Sequence, residues 1–546
     1  MAASASIAGW EQLAASKRDA VAAKIPSEWR LPSSLSSQIS ETSKISVLSF
    51  PRESKILTEK ELDLTENYDA TSLIELMSTG KEKSYDVTLA FCKRAAIAQQ
   101  CVNCLTEIFF DEALQRARQC DEYLEKEGKP IGPLHGLPIS LKDSFNVKGV
   151  HATIGYVSFL ANPPAQFNSA LVDILFQAGA VFYVKTNLPQ TMMTADSHNN
   201  IFGRTLNPNN LSLTAGGSTG GEGALIKMRG SVLGLTTDIA GSTRIPALCN
   251  GISALKPTAS RLPFMGKVAP GRVVSPGSVL PAIGPAGVSI RDLELLMKTA
   301  IDSHPWHYDA NVLNVPWRKV EPPKVPLRFG LIRGHPRRPL HPPIARALHT
   351  AATMLKEAGH TIVLLDDKIP DLWETALLTW KMFDLDPKKT PKQHVNASGE
   401  PWVPSIPTAA FAELKDWVAS LNELWDTNLE RAKILNTYRE LVVENKLDAI
   451  LLPGYQTTAV PHDTFGVPIY TMLVNFLNYP ACILPFLKAD KQSDAPFINK
   501  DANYEPPYEP EKVEGAPGAV QVMGLPMMDE ELLEIVKVVE QVLVKG

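Results

Sequence analysis

Two glycine-rich segments each hold a serine that could act in catalysis. The first reads GGSTGG over residues 216–221 and contains Ser218, and the second reads DIAGSTR over residues 238–244 and contains Ser242. Glycine allows positive φ and close approach, so a substrate can reach a serine that lies among glycines. A flexible linker is the alternative, but residues 214–263 carry more Ile, Leu and Val than such linkers do.

A lysine segment lies upstream of both serines. It reads HGLPISLKDSF over residues 135–145, and Lys142 falls at the end of a predicted short buried strand. Nucleophilic acyl transfer needs a nucleophile, a proton path to the leaving group and donors for the oxyanion. The two serine turns and the lysine could supply all three.

These motifs resemble the amidase signature family. Its pattern GGSSGG, TD-x-GGS-x-R-x-P and G-x-x-x-LKPT corresponds here to GGSTGG, TDIAGSTRIP and GISALKPT, and its G-x-P-x-x-x-KD segment corresponds to GLPISLKD. The segment KTNLPQTMMTADSHNNIFGRTLNP is similar to the branch of acetamidases and fatty-acid-amide hydrolases.

The resemblance implies an amidase that forms an acyl-enzyme with a Ser-Ser-Lys triad. Ser242 would be the acylated nucleophile, Ser218 the proton relay, and Lys142 the base. In this family the peptide bond before the relay serine, here Gly217–Ser218, is typically cis. The substrate would be a small-molecule amide, cleaved to a carboxylate and ammonia or an amine, without a metal or organic cofactor. Relatives are often homodimers.

A lysine base must be uncharged to accept a proton. An exposed lysine has a pKa of about 10.4, whereas a useful base has a pKa of about 7–8. We expect burial behind Leu137, Ile139 and Phe145 to lower the pKa of Lys142 by about 3 units. Because a nearby carboxylate would oppose this shift, we expect Asp143 to point away from the lysine.

The resemblance also assigns an oxyanion hole to the backbone N–H groups of Ile239, Ala240, Gly241 and Ser242. Ala240 stands where glycine is usual, and a positive φ there would strain alanine by about 1 kcal/mol.

Five further residues depart from the family pattern or support it. Thr219 replaces a serine and keeps a hydroxyl, whereas Asn478 stands where aspartate is common. Asp238 and Arg244 are expected to form a structural ion pair, and Met192 matches a position that contacts substrate in relatives.

Three other interpretations compete with an amidase. Residues 216–220 match the G-x-S-x-G motif of α/β-hydrolases, which would make Ser218 the nucleophile and require a downstream Asp and His. That interpretation leaves Lys142 and TDIAGSTRIP unexplained. A non-catalytic binding protein on the same fold is the second alternative. A phosphate-binding loop is the third, but no Walker or dinucleotide pattern occurs in a strand-to-helix setting.

Composition indicates a globular protein without a nucleic-acid partner. The 546 residues are 44% hydrophobic and 21% charged, with a net charge of −5. The N-terminus lacks the pattern of a signal peptide. The apolar window 470–487 contains two asparagines and two prolines, which predicts a buried strand and turn and not a stable membrane insertion. Six sparse cysteines, including an isolated C-x-x-C at Cys101 and Cys104, favour a reducing, cytoplasmic location.

The elements predict an α/β fold. Residues 1–64 read as a helical N-terminal arm and residues 65–546 as the catalytic domain. Helical segments and short apolar runs alternate along that domain, which predicts a large mixed β-sheet with helices on both faces.

Overall fold

The computed structural model describes residues 9–272 and 279–545. Residues 1–8, at the start of the predicted arm, lie outside the described residues. The core is an 11-stranded sheet. Two further short strands, His198–Asn199 (β4) and Gly203–Arg204 (β5), pair separately. The strands of the large sheet are Leu105–Ile108 (β1), Pro138–Lys142 (β2), Val181–Thr186 (β3), Leu233–Asp238 (β6), Ser253–Lys256 (β7), Ala282–Gly287 (β8), Arg328–Leu331 (β9), Thr361–Leu364 (β10), Ala449–Leu452 (β11), Ala481–Lys488 (β12) and Pro517–Met523 (β13).

The sheet is mixed, as predicted. Its order is β1-β3-β2-β6-β8-β7-β12-β13-β11-β9-β10. Strand β2 runs parallel to both β3 and β6, and β9 runs parallel to β10 and β11, whereas the other pairs are antiparallel. Every residue of β2, β3 and β6 is buried, whichever face its side chain points to. Helices therefore cover both faces of the sheet, which confirms the α/β prediction.

The helices surround this sheet, and residues 370–445 are mainly helical. They are Trp10–Ala22 (α1), Ser33–Ser36 (α2), Phe50–Glu53 (α3), Glu59–Glu66 (α4), Ala70–Ser78 (α5), Ser84–Val102 (α6), Phe110–Glu127 (α7), Ala170–Gln177 (α8), Gly220–Lys227 (α9), Arg244–Asn250 (α10), Ile290–Asp302 (α11), Pro342–Glu357 (α12), Leu372–Phe383 (α13), Thr390–Ser398 (α14), Ser405–Thr408 (α15), Leu421–Asn445 (α16), Ile469–Leu477 (α17), Lys491–Asp494 (α18), Pro510–Val513 (α19) and Asp529–Lys545 (α20).

The prediction for residues 470–487 was wrong in its first half. Residues 469–477 form helix α17, and only the second half of the window is a strand, β12. Every residue of α17 is buried, and so short a buried apolar run cannot be told from a strand by periodicity alone. No helix in the described part of the chain is long and apolar enough to cross a membrane.

The N-terminal arm packs closely on the rest of the chain. The Trp29 and Phe110 rings lie 5.7 Å apart, and Gln100 Nε2 donates to the Trp29 carbonyl at 2.8 Å. Lys17 forms an ion pair with Glu107 of β1. The buried side chains of the arm thus belong to the same apolar cluster as the helices and strands beside it. The domain boundary at residue 64 stays a prediction.

Candidate active site

Two parallel neighbouring strands bring the predicted site residues to one edge of the sheet. Lys142 is the last residue of β2, and Asp238 is the last residue of β6. Residues 239–243 form the loop that leads from β6 into α10, and this loop carries Ser242. Because parallel strands end at the same edge, Lys142 and the Ser242 loop lie on the same side of the sheet.

Lys142 contacts the first serine directly. Its Nζ lies 2.7 Å from Ser218 Oγ and 2.9 Å from Thr237 Oγ1. The side chain is fully buried, and this burial lowers the pKa of Lys142 to about 7, although the charge of Asp238 opposes the shift. A hydrogen bond of this length lets neutral Lys142 accept the Ser218 proton, and lets charged Lys142 return it.

Asp143 points away from Lys142, as predicted. Its carboxylate accepts hydrogen bonds from Thr106 Oγ1 and from the Ile154 N–H, both at 2.7 Å. It also forms an ion pair with Lys185 Nζ at 3.3 Å. Asp143 is therefore occupied by other partners and does not hold Lys142 in its charged form.

The turn that carries Ser218 requires its glycine. The peptide bond between Gly217 and Ser218 is cis. A Cβ at Gly217 would lie 2.6 Å from the Thr194 carbonyl oxygen, which is closer than real Cβ contacts.

The Thr219 hydroxyl, which replaces that of a serine in the family pattern, makes only a long hydrogen bond. It donates to the Thr237 carbonyl at 3.5 Å.

The predicted ion pair holds the Ser242 loop. Arg244 donates to both oxygens of Asp238, at 2.9 and 3.0 Å, and both side chains are buried. The N–H groups of Gly241 and Thr243 donate to the same carboxylate at 2.8 and 3.0 Å. Burial alone would raise the pKa of Asp238, but the charge and hydrogen bonds of Arg244 outweigh it and lower that pKa to about 2. Asp238 is thus an anion that ties both ends of the loop together.

The backbone N–H groups of residues 239–242 are not all free to bind an oxyanion. The Gly241 N–H donates to Asp238 and is not free to bind an oxyanion, so the prediction that it belongs to the oxyanion hole was wrong. In residues 9–272 and 279–545 nothing accepts a hydrogen bond from the N–H groups of Ile239, Ala240 or Ser242. The Ser242 hydroxyl likewise has no partner there, and the residue is 8% exposed.

Ala240 is not strained. It is absent from the residues with positive φ, whereas Gly241 has a φ of 122°. A Cβ at Gly241 would collide with the Thr471 side chain. Thr471 Oγ1 donates to the Ala240 carbonyl at 2.6 Å. The glycine requirement of the loop therefore falls on Gly241, and alanine is acceptable one residue earlier.

Met192 lies in a loop with an unusual backbone. Thr191 and Met192 have φ values of 67° and 58°, a region that residues other than glycine rarely occupy. The half-buried Met192 side chain packs on a small apolar cluster that includes Tyr156 and Leu188. Contact between Met192 and substrate stays a prediction.

Sequence reasoning missed several residues that support the site. Thr237 was part of a quoted motif, but its contact with Lys142 depends on strand register. Arg244 also donates to Gln521 and Asn475, which lie far away in sequence.

Asn478, which departs from the family pattern, has a structural role. It ends α17 with a φ of 56°, a conformation that asparagine tolerates, and its Oδ1 accepts from the Ala259 N–H at 2.8 Å.

No group of three or more His, Cys, Asp or Glu side chains in residues 9–272 and 279–545 is arranged to hold a metal ion. No histidine in these two ranges hydrogen-bonds to Ser218 or Ser242, although a G-x-S-x-G hydrolase would need one at its nucleophile.

Comparison with known proteins agrees with this geometry. A family model described as Amidase matches residues 86–533. The chain is 41% identical over 540 residues to an amidase from Gibberella moniliformis, covering 98% of this chain and 99% of that protein. It is 39% identical over 553 residues to an acetamidase from Emericella nidulans, covering 98% of each.

A solved structure of a fatty acid amide hydrolase superposes with a TM-score of 0.90 at 33% identity, covering 98% of this chain and 95% of that one. The similarity in sequence thus extends to the whole fold. Since the family model spans most of the chain and these relatives match almost all of it, the chain belongs to the amidase family, the amidase signature enzymes, which are hydrolases of amide C–N bonds.

Proposed function

We propose that this protein hydrolyses a carboxylic acid amide with Ser242 as nucleophile, Ser218 as proton relay and Lys142 as base. The observation that carries the proposal is the buried lysine whose Nζ lies 2.7 Å from Ser218 Oγ. A lysine with a pKa of about 7 is partly neutral near pH 7, so it can act as a base there.

Acylation begins with two linked proton transfers. Neutral Lys142 takes the proton of Ser218 while Ser218 takes the proton of Ser242, whose Oγ attacks the amide carbonyl. The carbonyl oxygen becomes an oxyanion, and the unengaged N–H groups of Ile239, Ala240 and Ser242 stabilise it. Losing one such donor typically costs about 10²–10³ in rate.

Collapse of the tetrahedral intermediate returns the proton. The Lys142 ammonium donates to Ser218, and Ser218 donates to the leaving nitrogen, so the C–N bond breaks and a neutral amine or ammonia departs. The acyl group stays on Ser242 Oγ. Water then attacks this ester while the Ser218–Lys142 pair accepts its proton. The pair returns this proton to Ser242 Oγ as the ester C–O bond breaks, which restores the Ser242 hydroxyl, and the carboxylic acid product loses its own proton to solvent as a carboxylate.

Two alternatives fit this chain less well. Membership in the amidase family excludes an α/β-hydrolase fold, and the Ser218 hydroxyl is paired with a lysine and not a histidine. A non-catalytic binding protein would have no need to hold a buried lysine amine 2.7 Å from the Ser218 hydroxyl. The lowered pKa alone does not separate the two functions, since burial also lowers the pKa of Lys256, outside the site, to about 7.

The test is hydrolysis of an amide panel by wild-type, Ser242→Ala and Lys142→Ala proteins. We expect turnover of at least one amide among short aliphatic, aryl and long-chain candidates, with ester cleavage as a side activity. Each variant should lose at least about 10³-fold in kcat. Lys433→Ala, a change at an exposed lysine on α16, is the control and should keep full activity. Near-wild-type turnover by Lys142→Ala would refute the mechanism.

Two further properties belong to the proposal. We propose a cytoplasmic location, supported by six cysteines that are all free and buried. We also propose a homodimer, which sedimentation of the purified protein would test; a monomer at micromolar concentration would contradict it.

A further inference from the structure

Glu222 is a buried acid without a positively charged partner. It lies in the first turn of α9, four residues after Ser218, and is 0% exposed. Its Oε1 hydrogen-bonds with Ser140 Oγ, and its Oε2 accepts from Thr186 Oγ1 at 2.9 Å. Within residues 9–272 and 279–545 no lysine, arginine or histidine forms an ion pair with it. An isolated buried carboxylate is unfavourable, so the protonation state of this group needs an explanation.

Counting protons along its hydrogen-bond chain supplies that explanation. Ser231 Oγ lies 3.0 Å from the Leu233 carbonyl, which can only accept, so Ser231 donates its proton there. Ser231 can then only accept from Ser140, at 2.8 Å, and this uses the proton of Ser140. Ser140 Oγ can therefore only accept from Glu222. All these contacts are satisfied together when Oε1 of Glu222 carries a proton.

The surroundings of Glu222 favour this neutral form. Burial raises the pKa of Glu222 to about 7, although its hydrogen-bonding contacts with Ser140 and Thr186 oppose the shift. The titratable groups that face Glu222 are Tyr183 of β3 and Cys104, which precedes β1, and burial raises the pKa of each well above its ordinary value. Neither group supplies a positive charge that would stabilise a carboxylate.

The backbone elements that hold Glu222 and its partner Ser140 also hold the proposed catalytic pair. Ser140 and Lys142 are two residues apart on β2, so their side chains point to the same face of the sheet. Ser218, just before α9, contacts Lys142, and Glu222, inside α9, contacts Ser140. Thr186 is also the register partner of Lys142 on β3. Gly234, opposite Ser140 on β6, has no side chain and leaves room for the carboxyl group.

We propose that Glu222 is a positioning residue, a neutral carboxylic acid that fastens the Ser218 turn to the Lys142 strand and thereby sets the contact between relay and base. The inference rests on the proposed function of that pair. Glutamine has the same shape as a protonated glutamate, with an N–H₂ to donate to Ser140 and a carbonyl to accept from Thr186. Alanine keeps neither contact and leaves a cavity.

The protonation state has a spectroscopic test that does not depend on activity. We expect the infrared spectrum of the full-length protein at about pH 6 to contain a buried carboxylic-acid C=O band that Glu222→Gln lacks. Because Glu222 binds its proton more tightly in the folded state, its stabilising contribution is lost as pH rises through about 7. The melting temperature of Glu222→Gln relative to wild type should therefore rise between about pH 5 and about pH 8. If the carboxylic-acid band is the same in Glu222→Gln as in wild type, Glu222 is not the protonated group and the inference is wrong.

The positioning role is tested by kinetics on the same variants. We expect Glu222→Gln to stay within about 3-fold of wild type in kcat, and Glu222→Ala to lose about 100-fold in kcat with little change in KM, since small misplacements of catalytic groups have such effects. Asp292→Asn, another buried carboxyl on α11, is the matched control and should keep full activity.

The outcomes separate this inference from the proposed function. If Lys142→Ala is inactive but folded Glu222→Ala has the kcat of wild type, the positioning role is wrong and the triad stands. A Lys142→Ala protein with full activity would instead remove the catalytic pair that Glu222 is inferred to position. If Glu222→Ala fails to fold, Glu222→Gln still tests the inference: a loss of about 100-fold in its kcat would overturn it.

Discussion

At the scale of single residues, the site keeps one buried lysine close to neutrality beside one buried aspartate that stays charged. Burial lowers the pKa of Lys142 to about 7, while the charge of Arg244 keeps that of Asp238 at about 2. The pairing of Asp238 with Arg244 matters to Lys142, because an unpaired carboxylate would hold the lysine in its charged form. The base therefore depends on an ion pair that it does not touch.

Lys142 should make folding less favourable at low pH. Since its folded pKa lies below that of an exposed lysine, the unfolded chain binds the proton more tightly, and stability rises with pH above about 7. Lys142→Met removes this dependence. The gain in unfolding free energy of Lys142→Met over wild type should be larger at about pH 6 than at about pH 9, by on the order of 2 kcal/mol. Denaturant unfolding at the two pH values measures it, and an equal gain at both would contradict the lowered pKa.

Removing the charge of Asp238 should destabilise the protein strongly. Asp238→Asn leaves the fully buried Arg244 without its counter-charge, which typically costs about 3–5 kcal/mol. Glu430→Gln is the control, because Glu430 and Lys433 form an exposed pair at 2.9 Å on α16, and such pairs contribute about 0–1 kcal/mol. Thermal melts compare the two variants. Equal small effects would mean that the Asp238–Arg244 pair does not hold the loop.

The residues of the proposed triad could be singled out from sequence, but their supporting contacts could not. Lys142, Ser218 and Ser242 lie in long motifs that resemble a family. Thr237 and Glu222 act through strand register and helix packing, which local sequence does not specify. A glutamate in sequence is also normally read as exposed, so nothing marked Glu222 as buried.

At the scale of elements, the Ser242 loop is fixed from both sides. Asp238 and Arg244 join the end of β6 to the start of α10, and Thr471 of α17 bonds to the Ala240 carbonyl. Helix α17 was predicted as a strand because a short buried apolar run cannot be assigned to a helix or a strand by periodicity alone. The departure at Ala240 had no structural consequence, since the positive φ falls on Gly241.

Gly241→Ala should disable the site more than the fold. The new Cβ would meet the Thr471 side chain at a φ of 122°, so the loop must shift and misplace the proposed oxyanion donors. We expect kcat to fall at least about 100-fold. Gly80→Ala also places alanine at positive φ, 71°, but with nothing within 4 Å, so it should cost about 1 kcal/mol of stability and leave kcat unchanged. Equal kcat values for the two variants would refute the role of the loop.

At the scale of the whole molecule, the N-terminal arm and the sheet share one apolar core. The alternation of helices and apolar runs allowed a mixed α/β sheet to be predicted, but not the strand order. That order depends on long-range pairs such as β7 with β12, whose partners are more than 200 residues apart. The packing of the arm was equally hidden, because Trp29 finds its partner Phe110 only in three dimensions.

Removing a large side chain from the contact between the N-terminal arm and the rest of the chain should lower the stability of the whole protein. Trp29 is 9% exposed against Phe110, so Trp29→Ala should cost about 3–5 kcal/mol. Trp425→Ala changes a tryptophan that is 64% exposed and should leave the melting temperature almost unchanged. Calorimetry would distinguish a shift of the main transition from a separate early transition. An early transition of the arm alone would contradict a shared core.

The central claim is that Ser242 is the nucleophile, and fluorophosphonate labelling tests it most directly. The purified protein is treated with the probe, and the modified peptide is located by mass spectrometry, with Lys142→Ala as a control that should label slowly. We predict a phosphonylated Ser242 and no adduct on Ser218. An adduct on Ser218, or equal labelling of wild type and Ser242→Ala, would contradict the account.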